Sequence, residues 1–166
     1  MSLVFGIPIL ASLAAIQATL MTQFRVLGGA PDLILLAVIA WALVAPDPDG
    51  MLWALFGGLA IDLLSGGPFG MNAILLVIIT YLAGFSEDRF WESHFLLPLA
   101  AVMVASLLYH GMTLGVLAAL GRSVDWGLSL GYVTFPSVFF NLILTIPAYY
   151  AALRCKHFIY PPKVEF

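Results

Sequence analysis

Asp32 and Asp62 are the residues best suited by type to do chemistry in a chain this apolar, because two carboxylates that share a proton can form a hydrolytic pair. Their settings argue against that use. Asp32 follows Pro31 at a helix start, where a carboxylate complements the free amides and the macrodipole, so capping accounts for it. The histidines at positions 94, 110 and 157 cannot meet on one helix face. The sequence has no His-Glu-x-x-His metal motif, no Gly-x-Ser-x-Gly elbow and no glycine-rich phosphate loop ending in Lys. A single cysteine, Cys155, excludes an internal disulfide and a Cys-rich metal site, and reads as an ordinary reduced thiol. The chain therefore reads as non-enzymatic, with no cofactor.

Asp62 needs a different account. It stands in the last turn of the run Leu55-Phe56-Gly57-Gly58-Leu59-Ala60-Ile61-Asp62-Leu63-Leu64, where the helix dipole disfavours an anion. Such a residue in a bilayer calls for a partner. An internal tie to the amides at the start of the next apolar run, near Gly70 to Asn72, or to Arg25 or Arg122, would satisfy it; a contact with a partner protein or ligand is the other reading. Gly58 lies one turn away on the same face and lets another helix approach closely. His110 and Asn141 fall near mid-span in two long apolar runs and are placed to hydrogen-bond to each other. The small-residue pairs Ala11 and Ala15, Ala14 and Ala18, and Gly111 and Gly115 permit close helix contact.

The elements that carry these residues follow from composition. The 166 residues are 63% hydrophobic and 9% charged, with a mean hydropathy of +1.07, against about 45–50% apolar and about 25% charged in soluble domains. A net charge of −3 does not suit phosphate neutralisation, so nucleic acid is excluded as a partner and the lipid bilayer is expected instead. The chain reads as an all-α integral membrane protein, one domain over 1–166, with six transmembrane spans at about 2–24, 28–45, 51–64, 71–85, 95–121 and 128–153. The turn Pro46-Asp47-Pro48-Asp49-Gly50, the glycine-rich turn at 65–70 and the charged loop at 86–94 separate them. The third and fourth spans are short enough that they must thin the bilayer or sit inside a bundle. Kinks are expected near Pro136 and Pro147, and the segment from Arg154 to Phe166 reads as a short amphipathic tail.

Six spans put both termini on one side with Arg89, Arg154, Lys156 and Lys163, against Arg25 and Arg122 on the other, so both termini are expected in the cytoplasm. Trp41, Trp53 and Trp91 then map to the inner boundary and Trp126 to the outer one, as interfacial aromatic belts.

The stretch from Pro31-Asp32-Leu33-Ile34-Leu35-Leu36, through Gly57-Gly58-Leu59-Ala60-Ile61-Asp62-Leu63-Leu64-Ser65-Gly66 and Phe69-Gly70, to Tyr81-Leu82-Ala83-Gly84 resembles the rod shape-determining protein MreD family. The resemblance implies a multi-pass protein of the bacterial cytoplasmic membrane that binds MreC and, through the elongation complex, RodA, its partner transpeptidase and MreB, and so helps control lateral peptidoglycan synthesis and cell shape. It also implies a compact bundle resembling the S component of energy-coupling-factor transporters, and singles out Pro31, Gly58, Asp62 and Gly70. That fold likeness leaves an alternative open, a vitamin-binding S component, for which Ala11 and Ala15 would serve as the docking pair. The short outer connections offer little polar material to close over such a ligand.

Overall fold

The computed structural model describes residues 2–19, 23, 28–45, 48–84 and 96–160. Among these the regular structure is helical: α1 (Ser2–Thr19), α2 (Leu33–Ala42), α3 (Asp49–Ser65), α4 (Met71–Gly84), α5 (Leu96–Ala119) and α6 (Trp126–Ile159). By length and apolarity α1, α5 and α6 are each able to cross a membrane, while α2 and α4 are shorter apolar helices. The charged loop at 86–94, with Trp91, lies outside the described residues, as do Arg25, Pro46, Asp47 and Lys163.

Contacts between helix ends show how the chain runs. Phe5 near the start of α1 packs edge-on against Phe158 near the end of α6, with ring centroids 5.7 Å apart. The Tyr160 hydroxyl, just past α6, donates to the carboxylate of Asp49 at the start of α3. At the opposite end, Gln17 of α1 accepts from the Ile34 N–H of α2 at 3.0 Å, and Asp62 of α3 meets the first residues of α4. The helices thus alternate in direction, and α1 begins at the end of the bundle where α6 finishes.

At 1.5 Å per residue the ten residues of α2 reach only about 15 Å. Eight of them are buried, Ile34 to Leu36 and Val38 to Ala42, because α2 is enclosed by α1, α3, α4, α5 and α6. The span expected from residue 28 begins instead at Leu33, since the backbone before it is held against α6, with the Ala30 N–H donating to Ser137 Oγ at 3.2 Å. By contrast α3 and α4 keep an exposed apolar side: Leu63, Leu64, Ile74, Ile78 and Tyr81 are exposed.

Two boundary expectations are corrected. Trp41 and Trp53 do not form an interfacial belt; they are 1% and 3% exposed and stack on each other, 4.4 Å between centroids and 15° between planes, in the core. Burial of both rings against α1 and α2 outweighs the interfacial preference of an indole. Trp126, by contrast, is exposed at the start of α6. Nor is the segment from Arg154 to Ile159 a separate tail, because α6 continues through it, with the Lys156 cation in the last turn where the dipole favours it.

Within α6 the irregularity falls at a π-turn, Leu130–Thr134, which ends two residues before Pro136. Pro136 has no N–H to offer the carbonyl four residues back, and a widened turn accommodates that loss. Pro147 lies within a continuous α-helix.

Candidate functional site: a polar network through the bundle

Asp62 is 5% exposed and is satisfied from the start of α4 and the residue before it. Its Oδ2 accepts from the backbone N–H of Gly70 at 3.0 Å and of Ala73 at 3.2 Å, and its Oδ1 from the Asn72 N–H at 3.0 Å and Asn72 Nδ2 at 2.9 Å. The orphan donors at a helix start are a ready-made anion site. The dipole cost at the end of α3 is therefore met by the favourable end of α4, as the internal-tie reading expects. Two glycines make this possible. A Cβ on Gly58 would lie 2.3 Å from the Ala73 Cα, so only glycine allows α3 and α4 to pack this closely. Gly70 has φ +87°, the left-handed region that lets its N–H turn toward Asp62.

Asp32 behaves otherwise than expected. Its side chain makes no capping hydrogen bond to α2. Instead Oδ2 accepts from His110 Nε2 of α5 at 2.9 Å and from Asn141 Nδ2 of α6 at 3.3 Å. Two donors from other helices have displaced the local cap. The direct His110–Asn141 bond is likewise corrected, since both side chains converge on Asp32. Asn141, fully buried, also accepts the Asp32 N–H on its Oδ1 at 2.8 Å and donates to Ser106 Oγ of α5 at 3.0 Å. One asparagine thereby ties α2, α5 and α6.

Tyr109, next to His110 on α5, donates to Asn72 Oδ1 at 2.5 Å. The Asp32 and Asp62 carboxylates are thus served from adjacent positions of one helix, each with its own partners. No hydrogen bond joins them among the described residues, which is not the shared-proton arrangement a hydrolytic aspartate pair requires. The sequence reading missed Tyr109, Ser106, Ser137 and the Gln17 link; their signal, lone polar atoms recurring in apolar helices, does not name partners without the packing.

The remaining candidates lie elsewhere. Pro31 and Asp32 line a cavity at the end of the bundle where α2 and α4 begin. Ala11 and Ala15 are exposed on the outer face of α1, whose inner stripe is Ser2, Gly6, Leu10 and Ala14. Gly111 and Gly115 have no atom within 4 Å of where a Cβ would stand, so they make no close helix contact among the described residues.

Searches of curated proteins and of solved structures return no match. The model of the rod shape-determining protein MreD matches residues 1–151, nearly the whole of the chain whose carboxylates, glycines and helix order are described above, and the protein belongs to the MreD family.

Proposed function

We propose that the chain crosses the bacterial cytoplasmic membrane six times as a single domain, with both termini in the cytoplasm and a bundle resembling an energy-coupling-factor S component. There it acts as a non-enzymatic scaffold of the elongation complex that grips the transmembrane helix of MreC. Membership of a shape-determining structural family gives the role in rod shape; MreC binding and control of peptidoglycan synthesis, with RodA, its partner transpeptidase and MreB reached through the complex, are the finer reading. The vitamin-binding alternative draws no support from the family match.

The observation that carries the scaffold reading is the internal use of the polar groups. Asp62 is saturated by four donors, three from the first turn of α4 and one from Gly70 just before it, and Asp32 is held by His110 and Asn141. These bonds fix the geometry of five helices. Outside them, α1 presents Ala11 and Ala15 on an exposed face where a single helix could pack closely. Arg154 and Lys156 near the end of α6 favour that end as the cytoplasmic one. Capture of purified MreC by the purified chain, with mass spectrometry of what else co-purifies, tests the assignment. Stoichiometric MreC is expected; a stoichiometric vitamin without MreC would overturn it.

A further inference from the structure

A cavity of about 400 Å³ opens beside the Asp32–His110 pair, with Ala18 and Ile61 among its apolar walls and Asp32, His110, Gln17 and Ser137 as its main polar groups. Three of these groups are only half engaged. Asp32 Oδ2 takes both His110 and Asn141, and Oδ1 accepts from no described residue. Gln17 accepts the Ile34 N–H on Oε1, which leaves its amide hydrogens without a described acceptor. Ser137 Oγ accepts the Ala30 N–H, and its own hydroxyl hydrogen is uncommitted among the described residues. No Lys or Arg among the described residues lines the space. Beside the His110 ring the cavity therefore presents one carboxylate acceptor and two neutral donors, in a volume of the size that small ligands fill.

We propose that this cavity binds an amino alcohol, its ammonium group on Asp32 Oδ1 and its oxygen accepting from Gln17 and Ser137. A carboxylate facing an apolar-walled space is most stable with a cation that donates to it. An anion would meet Asp32 as a like charge, and a hydrocarbon would leave three polar groups unpaired. The group can arrive as a free amino alcohol from the aqueous end or as the headgroup of an ethanolamine phospholipid from the bilayer. The proposal is independent of MreC.

The test is the unfolding midpoint of the purified full chain in detergent, titrated with ethanolamine and, separately, with short-chain phosphatidylethanolamine, with phosphatidylglycerol of equal chain length as the control. A saturable rise with either amine probe and none with phosphatidylglycerol is expected. Response to the phospholipid alone identifies the headgroup, and response to both identifies the free amine as sufficient. Ala18→Phe, which fills the wall without touching the polar ties, should abolish the rise, and Asp32→Asn should weaken the apparent affinity about ten-fold or more. No rise in the wild type, a rise that survives Ala18→Phe, or wild-type affinity in a folded Asp32→Asn would each overturn the proposal.

Discussion

Tyr109 and His110, consecutive on α5, reach in different directions to the two halves of the polar network: Tyr109 to Asn72 at 2.5 Å and His110 to Asp32 at 2.9 Å. Successive helical residues differ by about 100° around the axis, so one helix can clamp α4 on one side and α2 on the other. Tyr109→Phe removes the clamp on α4 and leaves the buried Asn72 oxygen unpaired, which should lower stability by about 1–3 kcal/mol. Unfolding of the purified protein, followed by tryptophan fluorescence, reads this.

Asp62 answers four donors at once, so Asp62→Ala should be more damaging than Tyr109→Phe. It strands three backbone amides and the Asn72 side chain, at about 1–3 kcal/mol for each buried group left unmet. Asp62→Asn keeps one acceptor oxygen and should fall between the two. An Asp62→Asn protein with wild-type unfolding and wild-type MreC capture would show that the carboxylate matters to neither.

Gly58 and Gly111 should respond in opposite ways to the same substitution. Gly58→Ala puts a methyl carbon 2.3 Å from the Ala73 backbone and forces α3 and α4 apart, at a cost of about 1–3 kcal/mol or more. Gly111→Ala meets nothing within 4 Å and should be neutral or stabilising by up to about 1 kcal/mol, because alanine is the better helix former. Paired unfolding curves decide it.

The Tyr160–Asp49 hydrogen bond places the end of α6 beside the start of α3. Cysteines at 49 and 160, in a Cys155→Ser background, should be joined by a short bifunctional thiol reagent and labelled from the same side of sealed vesicles. The bond to Asp49 raises the Tyr160 pKa above its ordinary value, with a smaller contribution from burial. A raised value means that the tie is fully present below the unfolded pKa of about 10 and is lost as pH rises through the higher folded one. More than a third of Tyr160 is exposed to solvent screening, so the effect on stability is small. The difference between wild type and Tyr160→Phe should be seen at neutral pH and vanish in strong alkali.

Ala11→Leu and Ala15→Leu should each reduce MreC capture several-fold while leaving the unfolding midpoint near wild type, since both side chains point away from the bundle. Equal capture by both variants would move the proposed contact off α1.

Hydrophobic runs in the sequence marked helix identity well, because long apolar segments have few other structures available to them. Asp62 was also legible: its position near the end of one run and just before another put free amides within reach. Asp32 was not. A Pro-Asp pair at a helix start looks the same whether the carboxylate caps its own helix or reaches two others, and only the packing of α5 and α6 against α2 decides. Trp41 and Trp53 misled for a related reason, since distance from a loop says nothing about which face of a short helix is enclosed.

The enclosure of α2 bears on how the protein is made. Ten residues rising about 15 Å, nearly all of them covered by other helices, give an emerging chain no segment that can partition into lipid alone and wait. Stable placement of this stretch is therefore expected only once α1 and at least α3 stand beside it. On the six-span reading α2 should enter only together with its neighbours, and a truncation after α2 should be retained at the insertion machinery rather than released.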